Sequence, residues 1–168
     1  DAILRARLVH LVTCWALLVL AARAAWRPEA SPWSMGGLPL AITPMVVFLA
    51  SVLNPSGEEL VGTAAFGVAL LRLSAADAAP RGTWTALACG GAAVGLSRSI
   101  GPLWLVGAAV AALVLFGPRV WAAAMRAAPR AAFASGIVLI ASLVANRMWE
   151  HKHGAQISLQ HIEIVDAV

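Results

Sequence analysis

Long apolar runs broken by short polar punctuation dominate this chain. Six such runs stand out, about Leu8–Ala22, Leu38–Leu53, Glu59–Ala76, Thr83–Ser97, Pro102–Phe116 and Ala131–Asn146, with Pro, Gly and Arg between them. Each falls a little short of the roughly 20 residues that carry a helix across about 30 Å of hydrocarbon. Arginines at the ends can snorkel and lengthen the usable span. Strict alternation of apolar and polar residues, which a membrane barrel requires, is missing. Backbone groups inside lipid must be satisfied within their own segment, so the runs predict helices.

Composition fixes the solvent. Hydrophobic residues make up 61% of the 168 and charged residues 12%, and mean hydropathy is +0.83. Soluble domains are nearer half apolar and a quarter charged, about twice this charge density. A soluble chain of this length could hardly bury so much apolar surface. The predicted fold is therefore all-α, a polytopic transmembrane bundle of about six helices over residues 1–150. A polar tail at 151–168 is expected to lead into further sequence. Around Ile157–Leu159 and Ile162–Ile164 the alternation in that tail predicts a short strand or two.

The net charge of +4 comes from 12 Lys and Arg against 8 Asp and Glu, scattered rather than gathered on a basic face. That excludes a nucleic-acid partner. Alternating six helices places Arg23, Arg27, Arg72, Arg81, Arg119, Arg126 and Arg130 on one side, and Arg5, Arg7, Arg98, Arg147 and Lys152 on the other. The positive-inside rule makes the first side cytoplasmic. The turns at Asn54–Glu59 and Ser97–Pro102 then both face outward. Heavy use of Ala, Arg, Leu and Gly with a single Lys suggests a GC-rich bacterial genome, and the expected location is a bacterial plasma membrane.

Six of the seven tryptophans (Trp26, Trp33, Trp84, Trp104, Trp121 and Trp149) fall near segment ends, as in an interfacial belt, and Trp15 lies mid-run. Cys14 and Cys89 sit within apolar runs and read as small packed hydrophobes. Gly91 with Gly95, and more loosely Thr63 with Gly67, have the spacing that lets helix backbones approach. His151, His153 and His161 lie in the polar tail without a cysteine. They read as solvated residues, and no metal site is assigned.

Two polar turns carry the candidate chemistry. In the first, "NPSGEE", Asn54 suits an N-cap, Pro55 the first helical position, and Glu58 and Glu59 the positive end of the helix dipole. A capped helix start at the membrane surface accounts for all of them. Alternatively, acids near apolar depth mark a substrate or ion path. Adjacent helical residues splay by about 100°, so only one of the two acids should point inward. In the second turn, "LSRSIGP", Arg98 stands between Ser97 and Ser99, ahead of Gly101 and Pro102. It fits a phosphate cradle or a snorkelling interfacial arginine equally well.

Together "TPMVVFLASVLNPSGEEL" and, some forty residues on, "LSRSIGPLWL" resemble a bacterial, largely actinobacterial, family of polytopic membrane proteins known as domain of unknown function 2142. Its organisation is similar to that of the GT-C glycosyltransferases. The matching positions are Thr43, Pro44, Met45, Asn54, Pro55, Ser56, Gly57 and Glu59, then Ser97, Arg98, Gly101 and Pro102. Glu58 stands at the family's variable position, which makes Glu59 the expected inward acid. Ser99 stands where the family more often has Pro.

The resemblance implies a sugar transfer from a polyprenyl-phosphate donor to an envelope glycan on the extracytoplasmic side. Arg98, with Ser97, would hold the lipid phosphate. Asn54, Ser56 and Glu58 would bind substrate, and Glu59 would orient the acceptor or a divalent metal. The family's first helix and its acidic outer loop, which would supply the main base, are expected upstream of Asp1, so this stretch alone is expected to be inactive. Two other classes stay open: a non-catalytic structural or assembly protein of the membrane, and a permease or flippase for a lipid-linked substrate.

Overall fold

In a computed structural model, the protein is described over residues 1–26, 42–75 and 81–165, with side chains described through His153 except at Arg81. The described residues form seven helices and no strand: α1 (Ala2–Ala25), α2 (Pro44–Ser51), α3 (Pro55–Ser74), α4 (Arg81–Ser97), α5 (Gly101–Phe116), α6 (Pro118–Ala127) and α7 (Pro129–Val165). Their starts follow local rules. Thr43 Oγ1 accepts from the Val46 amide at 3.3 Å, and Asn54 Oδ1 from the Ser56 amide at 2.9 Å. Each cap stands before a proline at the first helical position, where the lost N–H had no helical partner.

At the centre lies the antiparallel pair α3 and α4, the most extensive contact in the fold, with α1 against α3 and α7 against α4. Backbone meets backbone there. A Cβ on Gly90 would come within 2.7 Å of the Phe66 amide nitrogen and 2.8 Å of the Gly62 carbonyl. Glycine at that position lets the two backbones touch, the main source of attraction between helices when lipid competes equally for apolar surface. Gly91 and Gly95 face α7 instead, at Leu139 and Ser142. Gly67 has nothing near it, and Thr63 is exposed with its hydroxyl donating to Glu59 O. The Thr63–Gly67 spacing therefore marks no crossing.

One stripe of α1, His10, Cys14, Leu17, Ala21 and Ala24, is buried at alternating four- and three-residue steps. Its other faces leave Leu4, Val9, Val12 and Trp15 exposed. Only Gly101, Leu105 and Ala112 of α5 are buried, while Val114 and Leu115 are each 76% exposed. Apolar exposure on this scale marks a surface whose solvent is not water. Across α7, buried Ser135, Ser142 and Asn146 form a polar stripe on an otherwise apolar helix. Ser135 Oγ donates to Trp84 O at 3.1 Å, and Asn146 Nδ2 to Arg98 O at 3.2 Å, fastening α7 to both ends of α4.

Several expectations change. Among the described residues two helices, Ala2–Ala25 and Pro129–His153, are long and apolar enough to cross a membrane. A third candidate, α5 with α6, is bent by 105° at its break. The tail expected to form strands continues α7 as helix to Val165. Residues 117–130, which lie between two of the apolar runs, contain α6. Trp84 is 5% exposed and belongs to the core rather than an interfacial belt. Cys14 is buried as expected, but Cys89 is exposed. Trp26 and Trp104 are exposed near helix ends, Trp149 is exposed within α7, and Trp33 lies outside the described residues.

Candidate functional site

The two polar turns meet. The first turn of α3 and the corner between α4 and α5 lie against each other, with Arg98 as the bridge. Arg98 Nε stands 3.0 Å from Glu59 Oε2, and its Nη2 donates to Ser56 Oγ. Glu59 is 20% exposed and Arg98 51%. The Arg98 side chain is therefore half open, and its guanidinium has further N–H donors for an anion. The corner itself is tightly held. The Arg98 carbonyl accepts from the Gly101 amide at 3.0 Å as well as from Asn146. A Cβ on Gly101 would strike the Val94 carbonyl, and one on Gly57 the Leu49 carbonyl. Both motif glycines are thus places where another backbone passes.

Glu58 takes a different partner. Its Oε1 lies 3.1 Å from Nδ1 of His10, which is 5% exposed on α1. His10 Nε2 in turn lies 3.7 Å from Cys14 Sγ. A proton on Nδ1 directed at the carboxylate leaves Nε2 to accept from the thiol, so one tautomer satisfies both contacts. The two acids therefore both engage neighbouring helices, Glu58 toward α1 and Glu59 toward Arg98. They do not divide into one inward and one outward side chain. Splay by a helical step aims them at different neighbours, because helices stand on both sides of α3 at this level.

Of the other sequence candidates, Asn54 uses Oδ1 to cap α3, and Ser97 donates its hydroxyl to Val94 O at 3.0 Å. Both therefore shape backbone at the site. His10 and Asn146 were not singled out from the sequence. The available signal was a lone His, and a lone Asn, within an apolar run, since polar groups at such depth are retained only with a partner.

Two cavities lie at the cluster, one lined by Glu59 and the other by Arg98. One, of about 230 Å³, has Glu59 beside Leu60, Phe66, Val94, Trp104 and Leu105, so an acid sits on an apolar groove between α3, α4 and α5. The other, of about 440 Å³, has Arg98, Ser99, Asn146, Glu150 and His153 in its lining beside Leu96 and Trp149. His153, expected to be simply solvated, stacks on Trp149 with ring centroids 4.1 Å apart. No group of three metal-ligating side chains occurs among the described residues.

An all-helical body with apolar outer faces, membrane-length helices and a charged cluster at one end defines a membrane protein. The chain belongs to the family described as "Predicted membrane protein (DUF2142)", whose model matches residues 1–166. Neither a curated protein nor a solved structure matches it.

Proposed function

We propose that this chain is the lipid-phosphate-binding part of a GT-C-like glycosyltransferase in a bacterial plasma membrane, working on the extracytoplasmic side. The observation that carries the reading is Arg98, half exposed and oriented by Glu59 and Ser56: its partner Glu59 lines an apolar groove, and Arg98 itself lines a cavity with Ser99, Asn146 and Glu150. A polyprenyl-phosphate sugar needs that combination. Its hydrocarbon lies along Leu60, Phe66 and Trp104, its phosphate meets the guanidinium, and its sugar reaches toward Ser99, Asn146 and Glu150. Charge that grows on the departing phosphate is stabilised by a preoriented cation. Glu59 holds the guanidinium plane, and an envelope glycan acceptor enters from the side of Ser99 and Glu150. The base that deprotonates the acceptor comes from sequence outside this chain.

The test is photocrosslinking of a polyprenyl-phosphate probe to the full-length protein in lipid nanodiscs. Wild type is labelled, and Arg98→Ala lowers labelling by ten-fold or more with an unchanged melting profile. Equal labelling of a folded Arg98→Ala protein overturns the reading. Uptake of an unaltered lipid-linked substrate into proteoliposomes, with no product formed, replaces it with transport. Lost folding in both Arg98→Ala and Arg98→Lys, without any bound probe in wild type, replaces it with a structural role.

A further inference from the structure

The end of the molecule opposite Arg98 carries a second feature, built by Gly117 and α6. Gly117 has φ +80°, a backbone region that glycine enters without steric cost, and α6 leaves α5 there at 105°. Pro118 then restarts the helix at its first position. The ten residues of α6 are two-faced. Arg119 and Arg126, two turns apart, share one exposed face, and Trp121 and Ala124 pack against the core on the other. Trp121 Nε1 also points back to Ala112 O, 3.5 Å away on α5. The whole helix is strongly amphipathic and has no fully buried residue.

Charge on this surface has one sign. The chain carries no Asp or Glu between Asp77 and Glu150, while Arg119, Arg126 and Arg130 fall inside that interval. No carboxylate among the described residues pairs with these three. The last-turn arginines of α1 and α3, Arg23 and Arg72, belong to the same end. A helix turned across the axis of its neighbour, with cations on one face and an indole on the other, matches the surface-lying amphipathic helices of membranes.

We propose that α6 lies in the plane of the bilayer interface and that Arg119 and Arg126 bind the phosphates of anionic phospholipids in that leaflet. The alternative geometry, α5 and α6 as one broken span, would put two guanidinium groups without a carboxylate partner into hydrocarbon, which is costly. The short α5 ends at Phe116 with Val114 and Leu115 exposed to the acyl chains. Headgroup depth begins at the Gly117 bend. This site shares no residue with the Arg98 cluster, so either proposal can fail alone.

The test uses the full chain in vesicles of phosphatidylcholine alone or mixed with phosphatidylglycerol. A nitroxide at Ala123, on the arginine face, reports depth in a Cys89→Ala background. Spin-labelled phosphatidylglycerol and phosphatidylcholine report which lipid the protein prefers. Expected results are headgroup depth at position 123 and a preference for the anionic lipid. That preference falls by up to about five-fold for each arginine replaced by Gln. The Arg119→Lys/Arg126→Lys protein keeps it, and Arg147→Gln at the other end leaves it unchanged. A hydrocarbon depth at 123 overturns the proposal in favour of a broken span. So does an anionic preference that survives Arg119→Gln/Arg126→Gln.

Discussion

Arg98 and Glu59, 39 positions apart in the chain, meet at 3.0 Å between Nε and Oε2. The contact joins the start of α3 to the end of α4, and Ser56 takes the next donor of the same guanidinium. With Arg98 half exposed, the pair contributes no more than about 1 kcal/mol to stability. Its value lies in orientation, because a fork held at one edge presents the other in a fixed plane. Arg98→Lys keeps the charge but loses the fork, so probe binding should fall about ten-fold while thermal unfolding stays within a few degrees of wild type. Glu59→Gln should retain part of the binding, since an amide oxygen can still accept from Nε. Ligand titration beside a melting curve separates the two effects.

Asn54 is a cap in this structure, its Oδ1 2.9 Å from the Ser56 amide. Asn54→Asp preserves that acceptor and adds charge at the positive end of α3. Stability should be kept with Asp and drop by about 1 kcal/mol with Ala. If Asn54 instead binds substrate through its amide N–H, Asp should lose binding as completely as Ala. Thermal shift and probe affinity measured on both variants distinguish these outcomes.

His10 and Glu58 tie α1 to α3 at 3.1 Å, with the imidazole almost wholly buried. Removing one partner leaves the other polar group in an apolar setting, which costs about 1–3 kcal/mol. His10→Ala and Glu58→Ala should each destabilise on that scale. Their double variant should cost clearly less than the sum, because the second loss removes an already orphaned group. Additive losses in a double-mutant cycle by denaturant or thermal unfolding would show that the contact carries no coupling.

Glycines divide into two kinds. Gly57 and Gly101 face the Leu49 and Val94 carbonyls, whereas Gly67 and Gly107 have nothing within 4 Å of a Cβ. Gly57→Ala and Gly101→Ala should each cost about 1–3 kcal/mol, because backbone cannot yield as a side-chain tip can. Gly67→Ala and Gly107→Ala, in open helix interiors, should be neutral or stabilising by up to about 1 kcal/mol. Melting temperatures of the four purified variants check the ordering.

From the sequence one can read the medium, the helical class, the positions of the proline starts and the two polar turns. Each depends on composition or on a few adjacent residues: Thr43 before Pro44, Asn54 before Pro55, Gly101 before Pro102. Tertiary structure alone paired Arg98 with Glu59, sent Glu58 to His10, put Trp84 in the core and Cys89 outside it, and made the Gly62–Gly90 crossing. It also continued α7 through the polar tail and turned α6 aside at Gly117. The reason is the solvent. In water, apolar residues mark the inward face of a helix, but in lipid both faces are apolar, so the pattern shows where helices run and conceals how they are rotated. Rotation decides which polar side chains meet, and only packing of the whole chain sets it.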